Sequence, residues 1–288
     1  MIHAPAMSQL NQVSKTALMV TAYRARASAE ATPVCNDPWA DSMTDSEGYD
    51  LSYRYEKVFP SMALWIGLRT RFLDDCVTHY LDQGFEQVVI LGAGFDSRAA
   101  RLGRSGVRFF EVDHPQSQRA KLERIKSLPG YPVESAVYVP CDFETQDFMD
   151  VLIAAGFDTK TPTVIVWEGV AYYLPEEIVS ASCNRIASCC HPKSALLFDF
   201  VGKAMAEGTG ITTDDEEMLS ILNDLGEPVR FGTNNLLPLL ANAGFRHVRT
   251  ASFDEICLSV TGTYDRNRRF RFQSIALAGK EPGANPWS

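Results

Sequence analysis

Apolar positions in the first eighty residues recur at helical spacing. From Met62 to Asp82 they fall at 62, 65, 66, 68, 72, 73, 76, 77, 80 and 81, close to a 3.6-residue period, and Gly84 closes the run as a helix C′ residue. Thr16 to Ala31, TALMVTAYRARASAEA, has helix-forming composition, and DPWADSM at 37–43 reads as a turn into another short helix. After residue 85 short apolar runs alternate with amphipathic ones. Strands are predicted at 87–92, 107–112, 135–141, 163–168, 194–200, 247–253 and 270–279. Helices are predicted at 96–103, 115–127, 145–155, 175–190 and 234–243, with Pro175 suiting a first turn and Gly244 a helix end.

Such alternation implies an α/β chain with a doubly wound, mostly parallel sheet. A short link before 270–279, with no helix evident, implies a last strand entered by a hairpin and therefore antiparallel. The stretch 202–233 breaks the rhythm with five glycines and the acidic run TTDDEEM, where Thr213 and Glu216 fit a capping box. It reads as an insertion over the mouth of a pocket. The expected organisation is a helical cap and lid over 1–84, then a nucleotide-binding domain over 85–280.

Composition narrows the partners. With 45% apolar residues the 288-residue chain can bury a substantial core, and a net charge of −9 argues against sequence-independent binding to nucleic acid or an anionic membrane. The one basic run, Arg266 to Arg271, alternates with phenylalanines and reads as a half-exposed strand. Seven cysteines without C-x-x-C spacing, no secretory leader and no membrane-length window point to a reduced cytoplasmic protein. No metal-ligand spacing is visible. A small-molecule substrate is the expected partner, and a homodimer is an allowed assembly.

The chemistry begins at VVILGAGFDSRAARL, residues 88–102. Gly92, Ala93 and Gly94 leave a buried strand and open a helix, which suits close approach of a nucleotide to free N–H groups. NAD, FAD and S-adenosylmethionine all use such a turn, but Ser97 stands where the dinucleotide fingerprint has its third glycine. Asp113, 21 residues beyond Gly92, ends the second strand and can accept both hydroxyls of a ribose. Asp142 ends the third strand, where its carboxylate can meet an adenine amine and the Phe143 N–H a ring nitrogen; otherwise Asp142 caps the next helix. Glu168 ends VIVWE and can receive the ammonium of a methionyl group, which no dinucleotide requires; otherwise it caps the following turn.

Taken with TALMVTAYRA, DPWAD, RTRFLDD, FFEVDHP, VPCDF, WEGVAYYL and the late AGF, these pieces resemble the leucine carboxyl methyltransferase-like family over about residues 16–280. That family includes phosphatase carboxyl methyltransferases and bacterial polyketide-tailoring O-methyltransferases. The resemblance implies a Rossmann-like class I methyltransferase fold with seven strands, the last antiparallel, and S-adenosyl-L-methionine as cofactor. It implies that Gly92 and Gly94 line the cofactor, Asp113 holds the ribose, Asp142 and Phe143 the adenine, and that Glu168 lies beside the methionyl group. Arg71 of RTRFLDD is the expected clamp on the methionyl carboxylate, with Arg69 as the fallback. Tyr173 matches a family tyrosine near the acceptor, and Tyr23 and Arg24 of the cap are placed to reach it. The expected reaction is O-methylation of a carboxylate or hydroxyl in secondary metabolism, a small acid being favoured because a cation at Arg24 would steer a carboxylate toward the methyl, with N- or C-methylation of an aromatic metabolite second. Two rivals remain: an NAD-linked oxidoreductase, disfavoured by Ser97 and the antiparallel strand, and a non-catalytic binding subunit.

Overall fold

The computed structural model describes residues 14–263, 272–283 and 286–287. Among them, β1 (Gln87–Leu91), β2 (Arg108–Asp113), β3 (Ala136–Pro140), β4 (Thr163–Trp167), β5 (Ala195–Val201), β6 (His247–Ser252) and β7 (Gln273–Gly279) form one sheet in the order β3-β2-β1-β4-β5-β7-β6. The first five run parallel. Strands β1, β4 and β5 are buried at every residue because helices cover both faces, which is why they read as unbroken apolar runs rather than alternating ones.

Strand β7 is antiparallel to both β5 and β6, as expected, but it is not reached by a hairpin. A helix over Phe253–Thr261 intervenes and the chain returns to insert β7 between its two neighbours. Its signal lies in SFDE: Ser252 and Glu255 form a capping box, and Gly262 ends the helix in the left-handed region. The basic run Arg266–Arg271 lies outside the described residues.

Helices before the sheet are α1 (Lys15–Ser28), α2 (Ala40–Met43), α3 (Ser46–Val58) and α4 (Met62–Asp82); the third was not foreseen. They share one core with a face of the sheet, in which Leu68, Leu73 and Val77 of α4 meet Val88, Ile90, Val164 and Val166. The remaining helices are α5 (Arg98–Leu102), α6 (Pro115–Lys126), α7 (Phe148–Ala154), α8 (Glu176–Cys189), α9 (Lys203–Glu207), α10 (Thr213–Asp224), α11 (Leu237–Ala243) and α12, the Phe253–Thr261 helix. Phe148, Val179, Cys183 and Leu240 of α7, α8 and α11 fill the opposite face. The capping box of α10 is Thr212 with Asp215, one residue earlier than the expected Thr213 with Glu216. Either threonine fits the pattern, and the loop before the helix selects the first.

A buried ion pair fastens β2 to α6. Lys121 Nζ donates to Glu111 and also to the Asp96 carbonyl (2.5 Å), so it ties the second strand to the glycine turn. Burial raises the Glu111 carboxyl to about 7 despite Lys121. A folded-state value above the ordinary 4.5 favours folding fully below that pH, and the contribution is lost as pH rises through about 7. Lys121→Met, which strands the carboxylate, should cost about 3–5 kcal/mol in denaturant unfolding at pH 8. The loss should shrink at pH 5, and Lys121→Met with Glu111→Leu should recover most of it. An equal loss at both pH values would contradict this account.

Candidate functional site

The chain leaves β1 through two glycines in the left-handed region, Gly92 at φ 65° and Gly94 at φ 47°. A Cβ on Gly92 would stand 2.4 Å from Val170 Cγ2, so the turn has room only for glycine there. The turn is pinned to the second strand. Gly92 N–H donates to the Val112 carbonyl at 2.7 Å, and Gly94 N–H donates to the Asp113 carboxylate. His114 N–H reaches the other Asp113 oxygen at 2.6 Å. Each oxygen keeps a further lone pair, so Asp113 is oriented without being used up.

These residues border a cavity of about 480 Å³ at the C-terminal ends of the strands, within the range of small-ligand sites. Gly92, Ala93, Gly94, Asp113, Asp142, Phe143 and Glu168 all line it. Asp142 is not the cap of α7, a role Asp147 fills by accepting from Met149 N–H at 2.9 Å. Its own carboxylate closes the Asp142–Thr145 turn, accepting from Glu144 N–H and the Thr145 hydroxyl at 2.9 Å each. Ser97, in the place of the third dinucleotide glycine, is buried and accepts from Arg101 Nε at 2.8 Å.

Behind the cavity runs a chain of buried ion pairs. Arg24 pairs with Asp37 (2.9 Å), Asp37 faces Arg101 (3.7 Å), and Arg101 binds Asp74 (2.5 Å). Asp74 binds Arg98 (2.7 Å), which also holds Asp96 (2.5 Å) and Glu168 (2.6 Å). Glu168 pairs in turn with Arg69 (2.8 Å), and Arg69 with Asp199 on β5 (2.6 Å). Four arginines thus meet five carboxylates. Burial pushes the Glu168 carboxyl up, yet Arg98 and Arg69 outweigh it and hold it below its usual range. Asp96 is likewise held down to about 2 by Arg98, against the effect of burial. Glu168 therefore carries its charge at the cavity wall at any physiological pH.

Several expected roles move. Arg71 does not border the cavity: it is exposed and pairs with Asp75 at 2.8 Å along the outer face of α4. Two residues is about 200° of helix, so Arg69 points inward where Arg71 points out. Tyr23 is fully buried, donates its hydroxyl to the Ser52 carbonyl at 2.7 Å, and serves the cap's core rather than the cavity. Arg24 does line the cavity, but its guanidinium is held by Asp37 and by the Phe95 carbonyl (2.6 Å), so it is a brace rather than a free cation. Tyr173 lines the cavity, and burial, then Tyr172 and Glu227, push its hydroxyl far above the ordinary value. It stays protonated and can donate a hydrogen bond but cannot take a proton.

Sequence reading missed Asp199, Arg98, Asp96, Asp74 and Glu227. Asp199 was legible in principle: an acid inside LLFDFV must find a partner once the strand is buried. The other four belong to helical or loop segments where charge is ordinary, and nothing in their spacing separates them from solvated residues.

The profile of the leucine carboxyl methyltransferase family matches residues 17–187. A Mycolicibacterium gilvum (strain PYR-GCK) protein, named for S-adenosyl-L-methionine-dependent methyltransferase activity, is 35% identical over 66% of this chain and 67% of its own length. A similarly named Mycolicibacterium vanbaalenii protein is 33% identical over 82% of this chain and 79% of its own. In architecture the chain is similar to a DUF574 family protein from Streptomyces avermitilis MA-4680 (TM-score 0.67, 12% identity, 95% of this chain and 100% of that one). A protein of Thermobifida fusca YX described as a methyltransferase gives a TM-score of 0.66 at 13% identity, over 96% of this chain and 99% of that one. A glycine turn, a carboxylate at each of three strand ends and an antiparallel β7 agree with these likenesses, and the chain belongs to the leucine carboxyl methyltransferase family of S-adenosylmethionine-dependent enzymes.

Proposed function

We propose that the enzyme methylates an oxygen of a small, largely apolar organic molecule, in keeping with a tailoring role in secondary metabolism. The observation that carries this reading is the division of the cavity into two unlike walls. On the sheet side stand the glycine turn and the carboxylates of Asp113, Asp142 and Glu168; on the cap side stand Met19, Val20, Tyr55, Met62, Trp65 and Ile66. The acidic wall suits a cationic cofactor and the apolar one a ring-sized acceptor.

The residues fit the cofactor. Asp113 has lone pairs free for two ribose hydroxyls, Asp142 and Phe143 lie at the adenine end, and Glu168 offers negative charge to an ammonium. When bound, S-adenosylmethionine supplies a methyl group already activated on a sulfonium. What remains for the protein is to align the acceptor and keep water out, and positioning of that kind supplies up to about 7–11 kcal/mol. Because Arg24 and Arg69 are both bound to acids, the cavity favours a hydroxyl acceptor over a carboxylate.

Asp113→Ala should weaken S-adenosylhomocysteine binding by about 1.5–3 kcal/mol in calorimetry, the worth of a charged hydrogen bond. Arg69→Lys should weaken it roughly tenfold, because a single ammonium cannot bridge Glu168 and Asp199, whereas Arg71→Lys should change nothing. The reverse order would restore Arg71 as the clamp. Product structure by NMR, from a pooled acceptor panel and isotopically labelled cofactor, should show the new methyl on oxygen. A methyl on nitrogen or ring carbon would overturn the acceptor assignment.

A further inference from the structure

We propose that Glu227 takes the proton of the methyl acceptor, and that the acceptor is therefore a neutral hydroxyl carried on an apolar, ring-sized body. This rests on the O-methylation reading above and assigns the base that reading needs. Glu227 follows α10, where Gly226 at φ 83° turns the chain and Glu227 N–H closes on the Leu222 carbonyl at 2.9 Å. The segment is then strapped to the strand-end loop by Arg230 and Phe231, whose N–H groups both donate to the Tyr172 carbonyl at 2.7 and 3.1 Å. Its carboxylate borders the cavity and accepts from Ser14 Oγ at 2.6 Å, so the side chain is aimed by a contact 213 residues away in sequence.

The other carboxylates of the cavity are engaged. Glu168 bridges two arginines, Asp96 is bound by Arg98, Asp113 is held by two backbone N–H groups, and Asp142 closes its own turn. Glu144 reaches out to Arg230 at the surface. Glu227 differs from all of these. It is half-buried, it receives the Ser14 hydroxyl, and among the described residues no arginine, lysine or histidine forms an ion pair with it. Desolvation raises its carboxyl above the ordinary value; the Ser14 and Thr16 hydroxyls oppose the rise and the Asp113 charge adds to it, so the net shift makes its carboxylate a stronger base than a solvated one. Tyr173 on the same wall stays protonated and cannot compete for the proton.

In the step assigned to Glu227, the acceptor O–H bond breaks and its proton moves to a Glu227 oxygen. The electron pair stays on the acceptor oxygen and would form the bond to the methyl carbon as that carbon's bond to sulfur breaks, its pair remaining on sulfur. The proton then passes from Glu227 to solvent. An acceptor carboxylate, already ionised, would gain nothing from this base and would face its charge.

The test uses the full chain saturated with S-adenosylhomocysteine, with naphthol, phenylphenol, their methyl ethers and the matching carboxylic acids as probes in calorimetry. The free phenols should bind at least tenfold tighter than their ethers or the acids. Glu227→Gln, isosteric and confirmed folded by thermal melting, should remove that preference while S-adenosylhomocysteine affinity stays within about threefold. Methyl transfer to the tighter-binding phenol should fall at least a hundredfold, in line with general-base contributions. Four results would overturn the proposal: no phenol binds, the acids bind more tightly, the variant matches the wild type, or it loses S-adenosylhomocysteine. Failure of the wild type to bind S-adenosylhomocysteine would instead sink the methyltransferase reading itself.

Discussion

A run of buried arginine–carboxylate pairs, from Arg24 through Asp37, Arg101, Asp74, Arg98 and Glu168 to Arg69 and Asp199, fixes where everything else sits. A charge inside a protein costs several kcal/mol unless it is matched in good geometry, and a broken pair costs about 3–5 kcal/mol. Each link therefore tolerates little displacement. The links also cross the molecule, joining α1, the turn before α2, α4 and α5 to the ends of β4 and β5. The cap cannot slide over the sheet without stranding a charge. The cavity is the space left between the two.

The same run sets the electrostatics of the site. Five acids against four arginines leave the network one negative charge in excess, and Asp113, Asp142 and Glu227 add to it at the cavity wall. A cation is favoured there over an anion, which accords with a sulfonium cofactor and with a neutral acceptor. Arginine rather than lysine is needed at positions 69 and 98, because each guanidinium spans two or three acids at once. The two backbone N–H groups of Gly94 and His114 do for Asp113 what the arginines do for Glu168: they orient a carboxylate while leaving lone pairs for a ligand.

Much of the framework was legible because it depends on local pattern. Buried strands such as QVVIL and TVIVW, the glycine pair at 92 and 94, and carboxylates at the strand ends follow from the chemistry of a short segment. What local pattern left open was decided by distant contacts. Arg69 and Arg71 are equally good clamps on paper, and only the rotation of α4 against β5 separates them. Arg24 looked like a free cation until Asp37 and the Phe95 carbonyl closed on it. The helix over Phe253–Thr261 was hidden by reading a hairpin from the shortness of a link, although its capping box was present in the sequence. Glu227 had no local signal at all, since its side chain meets Ser14, 213 residues earlier in the chain.

The most direct test of this account is a crystal structure of the complex with S-adenosylhomocysteine. The adenosine should lie across the Gly92–Gly94 turn, with its ribose hydroxyls on Asp113, its adenine against Asp142 and Phe143, and its amino-acid end over the Glu168–Arg69 pair. Arg71 should remain on the outer surface, bonded to Asp75. A ligand bound away from Asp113, or an amino-acid end held by Arg71, would contradict it.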